Sequence, residues 1–146
     1  MDPSSADLPL ALIVEDELIL AMAVEDLLTA EGFATIVVRS EAEARAHAAA
    51  EIAVAGVNLR LSATLAGQRI IRALRRRDPS LPVVVVTGYS AQAPQANLRG
   101  LGGPTIRLHK PAGYAELAEA VWDVIGQARA GAPPADGRRL SDPASP

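Results

Sequence analysis

The sequence predicts an α/β fold in which parallel strands are joined by crossover helices. Five short apolar segments alternate with segments of helical period along the 146-residue chain, and this alternation is typical of a parallel sheet. One of them, Val83-Val84-Val85-Val86, consists of four β-branched residues and suits a strand buried on both faces. We therefore expect a five-stranded parallel sheet with this segment as a central strand.

The first half of the chain predicts two strand–helix units. A strand over residues 10–14 precedes a helix that Gly32 ends, and the apolar residues of this helix recur at helical spacing. They are Leu20, Val24, Leu27 and Leu28. A β-branched run over residues 34–39 forms the second strand. Ser40 and Glu43 then have the spacing of a capping box that opens an alanine-rich helix reaching about Ala50.

The second half continues the same alternation. We expect strands over residues 52–57, 83–86 and 105–109, with a short fourth helix near residues 95–99. The third helix has one apolar and one basic side, and the last helix has apolar residues at helical spacing. These positions are Ile70, Ile71 and Leu74 against Arg69, Arg72 and Arg76, and then Leu117, Val121, Val124 and Ile125. The run Arg75-Arg76-Arg77 is interpreted as a solvated helix end.

Length and composition favour a single acidic domain with an aliphatic core. Hydrophobic residues make up 49% of the chain and aromatic residues 3%, the net charge is −3, and there is no cysteine. These values argue against partners chosen by bulk attraction to nucleic acid or membranes, and against thiol chemistry. We expect a flexible N-terminus over residues 1–8, one domain over residues 9–128, a disordered tail over residues 129–146, and a cytoplasmic location.

Polar residues follow four of the predicted strands. They are Glu15-Asp16, Gly56-Val57-Asn58, Thr87-Gly88 and Lys110-Pro111. In an open parallel sheet the carboxyl ends of the strands meet at one edge, where ligands bind. Carboxylates there can hold a divalent cation such as Mg²⁺, and a hydroxyl and an ammonium can accept phosphate oxygens. The pattern therefore indicates an anion site.

Three motifs in this order resemble the receiver domain of two-component response regulators. They are Leu-Ile-Val-Glu-Asp-Glu at residues 12–17, Asp-Pro-Ser-Leu-Pro at residues 78–82 before the valine run that ends in Thr-Gly, and Lys-Pro at residues 110–111. The resemblance covers about residues 10–127. It implies a flavodoxin-like, doubly wound sheet with five helices, Mg²⁺, and a bacterial histidine kinase as phosphoryl donor.

The resemblance also implies a role for several positions. Glu15 and Asp16 match the acidic pair that binds the metal, and Asn58 matches the residue whose backbone carbonyl ligates it. Thr87 matches the switch hydroxyl, and Lys110 the lysine that contacts phosphate. The family's phosphate-accepting aspartate falls at Gly56, which has no side chain to phosphorylate.

A second departure is Arg107, which stands where the family usually has an aromatic residue that reports phosphorylation. We therefore expect no catalytic residue and no enzymatic activity, with Mg²⁺ binding weak or absent. The hypothesis is a phosphorylation-deficient, single-domain response regulator that binds a histidine kinase, a phosphotransferase or another regulator, as a monomer or weak homodimer.

Several alternatives stay open. The chain could accept phosphate transiently at Glu15 or Asp16 and act as a phosphoryl sink, or be a flavodoxin-like small cofactor binder. Glu15 and Asp16 could instead pair with Lys110 in a structural salt bridge, and Gly56 could mark only a bend or a close backbone approach. We predict no zinc role for His47 or His109, and no dinucleotide loop at Gly100-Leu101-Gly102-Gly103, because that run precedes a strand.

Overall fold

A computed structural model of the chain describes residues 8–59, 66–88, 98, 100–110 and 113–130. Five strands lie in these ranges: β1 (Leu10–Val14), β2 (Ala34–Val38), β3 (Val54–Asn58), β4 (Val83–Thr87) and β5 (Thr105–His109). The helices of the described residues are α1 (Leu18–Ala30), α2 (Glu41–Ala46), α3 (Ala66–Arg77) and α4 (Tyr114–Arg129). Except for Leu98, the short helix predicted near residues 95–99 lies outside the described residues. So do residues 1–7 and 131–146 of the predicted flexible ends.

The strands form one parallel sheet in the order β2-β1-β3-β4-β5. This is the flavodoxin-like order, so the predicted fold class is confirmed. The valine-rich strand β4 pairs with both β3 and β5, and it is therefore internal to the sheet as expected. The middle position itself belongs to β3.

Helices cover both faces of the sheet and create two aliphatic cores. On one face Leu12, Val57 and Ile71 pack together with residues of α2 and α3. On the other face Ile13 and Val84 pack with residues of α1 and α4. Successive strand residues alternate between these two cores because side chains on a strand point to opposite faces of a sheet.

The predicted strands and helices that fall in the described residues agree with the structure, with boundary shifts of one residue at β2 and β4 and larger ones at α2 and β3. The Ser40 hydroxyl accepts a hydrogen bond from the Glu43 amide at 3.2 Å, so the predicted helix start is confirmed. However, α2 ends at Ala46 and not near Ala50, and β3 begins at Val54 and not at residue 52.

The prediction that the three arginines form a solvated helix end is wrong for Arg75. Arg76 and Arg77 are exposed, but Arg75 is only 6% exposed. Its guanidinium donates to the carbonyl oxygens of Leu81 (2.9 Å) and Pro104 (2.7 Å). It also donates to the Thr105 hydroxyl at 3.0 Å and to the carbonyls of Leu101 and Gly102. Arg75 thereby ties the end of α3 to the segments that enter β4 and β5.

The glycine run before β5 leaves room for this guanidinium, because it carries no side chain at the positions that face it. Gly102 and Gly103 have positive φ angles of 71° and 59°, which favour glycine. A Cβ atom at Gly103 would lie 2.5 Å from the Arg75 Nε, so a larger residue would displace the side chain. Burial lowers the pKa of Arg75 to about 10, which leaves the group charged at neutral pH.

We predict that Arg75→Met lowers the free energy of unfolding by about 3 kcal/mol, because several buried carbonyls lose their donor. The measurement is urea denaturation followed by the fluorescence of Trp122, the single tryptophan, which packs against Phe33 at a centroid distance of 5.1 Å. Arg76→Met is the matched control, and an exposed change there should cost less than about 0.5 kcal/mol. Equal losses in the two variants would contradict a structural role for Arg75.

Candidate functional site

The parallel register brings the predicted polar residues to one edge of the sheet. Ile13 lies beside Gly56, and Asn58 lies beside Val86, so the ends of β1, β3 and β4 are level. The Lys110 amide donates to the Thr87 carbonyl at 2.8 Å, which adds the end of β5. Four strand ends that are far apart in sequence therefore form one cluster.

Glu15 is the centre of this cluster. Its side chain is buried, with 7% of the residue exposed. The Oε2 atom accepts hydrogen bonds from Asn58 Nδ2 at 2.9 Å and from the Glu17 amide at 3.2 Å, and Lys110 Nζ lies 4.0 Å from Oε1. A buried carboxylate needs such donors to offset its desolvation. Glu15 is therefore engaged by an amide, a backbone N–H and a cation.

Asn58 contacts Glu15 through its side-chain amide, a contact that the sequence does not predict. The resemblance implies a role for its backbone carbonyl, whereas its side-chain amide, on a residue only 5% exposed, donates to Glu15 across 43 positions of sequence. Nothing in a single sequence distinguishes a side-chain contact of this kind from a backbone one. Only the pairing of β1 with β3 reveals it.

Asp16 and Thr87 differ from each other in exposure. Asp16 is half-buried, and its backbone carbonyl accepts a hydrogen bond from the Arg39 guanidinium at 3.2 Å. Thr87 is almost completely buried, at 1% exposure, at the end of β4. The structure therefore places both residues at the predicted edge, with Asp16 closer to solvent.

The donor set at Glu15 does not fit a tightly bound Mg²⁺ ion. Mg²⁺ prefers carboxylate and phosphate oxygens in near-octahedral geometry. The oxygen Oε2 instead faces two hydrogen-bond donors, and the Lys110 ammonium lies beside Oε1. Within the described ranges, no three His, Cys, Asp or Glu side chains are grouped so that they could hold a metal ion. His47, at the end of α2, and His109, exposed at the end of β5, therefore belong to no such group.

Gly56 lines a cavity that opens beside Glu15 and Lys110. The cavity has a volume of about 250 Å³, and most of its wall is apolar. Its lining includes Ile13, Val14, Leu20, Val24, Val57, Val86 and Leu117 in addition to Glu15, Gly56, Asn58 and Lys110. A Cβ atom added at Gly56 would meet no atom of the described residues within 4 Å, its two chain neighbours aside.

Close packing therefore does not explain why residue 56 is glycine. The contrast is Gly67 in α3, where a Cβ atom would lie 2.6 Å from the Leu59 Cα atom, so that position has no room for a side chain. Gly56 also lacks the positive φ angle that favours glycine. Within the part of the chain that the structure describes, no backbone comes close to this position, which contradicts its interpretation as a close backbone approach.

Arg107 lies on β5 beside Val85 of β4. It is half-buried, and its Nε atom has no hydrogen-bond partner among the described residues. Its strand neighbours Ile106 and Leu108 belong to the core formed with α1 and α4. By alternation along the strand, Arg107 therefore lies on the opposite face of the sheet.

Comparison with known proteins identifies the family of this domain. The sequence model of the response regulator receiver domain family matches residues 11–122 of this chain. The chain therefore belongs to the response regulator receiver family, whose members are signalling modules of two-component systems. No curated protein matches the chain significantly.

Solved structures agree with this assignment. A response regulator receiver protein from Sinorhizobium medicae is 27% identical, with a TM-score of 0.71 over 84% of this chain and 98% of that chain. A response regulator from Burkholderia pseudomallei, solved with a phosphorylated aspartic acid, calcium and citrate, is 26% identical. Its TM-score is 0.67 over 84% of this chain and 72% of that chain.

The fold also resembles the receiver domain of a sensor histidine kinase from Pseudomonas aeruginosa. That structure has a magnesium ion in its active-site cleft, and it is 24% identical, with a TM-score of 0.67 over 81% of this chain and 98% of that chain. In the part of this chain that the structure describes, no helix is long and apolar enough to cross a membrane.

We predict that Asn58→Asp lowers the free energy of unfolding by about 2 kcal/mol at neutral pH, because it places a second carboxylate against the buried Glu15 and removes a donor. Urea denaturation followed by Trp122 fluorescence measures the change. Asn58→Ala is the control that removes the donor without adding charge, and its loss should be about 1 kcal/mol. An Asn58→Asp variant as stable as the parent would contradict the contact with Glu15.

Proposed function

We propose that this chain is a receiver domain that signals by binding a protein partner without being phosphorylated on β3. The observation that carries the proposal is Gly56. This residue lines the cavity shared with Glu15 and Lys110, at the strand position where the resemblance expects the phosphate-accepting aspartate. A glycine there supplies no carboxylate to attack a phosphoryl group.

The neighbouring acids are poor substitutes for the missing nucleophile. An acyl phosphate forms when a carboxylate oxygen attacks phosphorus, so the oxygen must be free and accessible. Both oxygens of Glu15 have partners, and the residue is buried. Asp16 is half-buried, and it is the acid on which a phosphoryl sink would have to depend.

Mg²⁺ binding by this chain is proposed to be weak or absent. Receiver domains typically bind Mg²⁺ at the active site, and the Pseudomonas aeruginosa receiver was solved with magnesium in its cleft. Here position 56 contributes no carboxylate, and Glu15 is held by an amide and an ammonium. Each of these differences lowers the affinity for a divalent cation.

The surface of α1 supports a protein partner. Leu18, Ile19 and Met22 are 57%, 81% and 54% exposed, and they lie next to one another in the first turns of the helix. Adjacent exposed apolar side chains at one helix end are typical of interaction sites. Receiver domains interact with histidine kinases and other regulators, and we propose a histidine kinase or phosphotransferase as the partner of this surface.

We predict that the parent chain acquires no phosphoryl group from acetyl phosphate with Mg²⁺, whereas Gly56→Asp does. The replacement supplies a carboxylate beside Lys110, and its Cβ atom meets no steric obstacle. Intact-mass spectrometry and acid lability of the product measure the result. Gly56→Asn is the matched control, because it has the same shape without a nucleophilic carboxylate.

A stable acyl phosphate on the parent chain would overturn the proposal. If such a product appears, Asp16→Asn and Glu15→Gln determine which acid carries it. Loss of the product in only one of these two variants would establish the phosphoryl-sink alternative at that acid.

We also predict that Ile19→Lys weakens binding to the partner by about tenfold or more, because it places a charge in the apolar contact. The measurement is biolayer interferometry with purified histidine kinases and phosphotransferases of the source organism. Tyr114→Lys is the control at another exposed apolar residue, on α4, with 57% exposure. Weaker binding in Tyr114→Lys alone would contradict the proposal and indicate that the interface lies on α4 and not on α1.

A further inference from the structure

We infer that the cavity beside Gly56 is a binding site for a small, uncharged, largely apolar molecule with one hydrogen-bond acceptor. The inference does not depend on whether the chain is phosphorylated. It follows from the size of the cavity, the chemistry of its wall, and the charges at its polar end.

The cavity is large enough to hold an organic ligand. Its volume of about 250 Å³ exceeds that of an engineered apolar cavity of about 150 Å³ that binds benzene. Gly56 contributes to this space, because a side chain at that position would project into an open region.

The sheet and the two helices on one of its faces supply the apolar wall. The sheet contributes Ile13 and Val86, α1 contributes Leu20 and Val24, and α4 contributes Leu117. A concave apolar surface with a few convergent polar groups is the usual form of a small-molecule site. The body of the ligand would therefore be aliphatic or contain a single small ring.

The polar end of the cavity selects the charge of the ligand. Lys110 lies 4.0 Å from Glu15, at the outer limit of an ion pair, and an ammonium has three hydrogens to donate. Glu15 and Lys110 are the charged residues of the described lining and they offset each other, so an anionic head would lose its hydration without gaining a net attraction. A neutral acceptor such as a ketone or ester oxygen would bind Lys110 without that penalty.

The experiment compares three probes with the same chain length but different heads: 2-heptanone, heptanoate and heptylammonium. Each is titrated into the full chain with methyl-labelled Ile, Leu and Val, and ¹H–¹³C spectra are recorded. We expect saturable shifts at Ile13, Val86 and Leu117 with 2-heptanone, and binding of heptanoate weaker by about tenfold. Tighter binding of either charged probe would overturn the assigned ligand class.

Gly56→Leu fills the cavity without adding charge, and it should abolish the shifts at these methyl groups. Gly126→Leu is the matched control, because it makes the same replacement at an exposed position of α4 where a Cβ atom meets nothing within 4 Å. Gly56→Ala fills less of the cavity, and it should reduce the shifts at these methyl groups without abolishing them. Urea denaturation checks that each variant is folded.

Absence of saturable shifts with all three probes in the parent chain would overturn the site. Retained binding in folded Gly56→Leu would do the same. Neither result would bear on the proposed lack of phosphorylation, which acetyl phosphate tests separately.

Discussion

A parallel sheet places the carboxyl ends of all its strands on one edge, and the candidate site depends on this constraint. Glu15, Asn58, Thr87 and Lys110 come from four strands and meet only because β1, β3, β4 and β5 run in the same direction with level ends. Antiparallel pairing of any of these strands would move its polar end to the opposite edge. Helix packing on both faces buries the strands and keeps this register.

The electrostatics of the site depend on the glycine at position 56. Because residue 56 is glycine, β3 carries no acid beside the buried Glu15, and the Lys110 ammonium lies 4.0 Å from its Oε1 atom. Asn58 and the Glu17 amide satisfy Oε2, so the charge of Glu15 is offset without a metal ion. Gly56 also lines a cavity that is bordered by apolar residues of α1 and α4.

Buried charges are stabilised in two different ways in this domain. Glu15 is held by donors from two strand ends and one backbone amide. Arg75 is held mainly by backbone carbonyls, that of Leu81 before β4 and those of Leu101, Gly102 and Pro104 before β5. Because that run leads into β5, the arginine on α3 also helps to position the strand that ends at Lys110.

The sequence by itself determined the elements and the main chemistry of the site. Periodicity predicted the five strands and the described helices, and the motif residues predicted which strand ends carry acids, a hydroxyl and a lysine. These features are local, because a short window of sequence is enough to show the period of a strand or helix and the residues at its end. The absence of a carboxylate at position 56 could likewise be read directly.

Only the tertiary structure determined which contacts these groups make and which of them are buried. The contact of the Asn58 side chain with Glu15, the burial of Arg75 and the cavity beside Gly56 all join residues that are distant in sequence. Arg75 shows the reason: its two neighbours in the arginine run are exposed, so composition predicts solvent, yet its position on α3 directs it to the β5 loop. Packing between elements, which no local pattern encodes, selects which arginine of this run is buried and shapes the cavity beside Gly56.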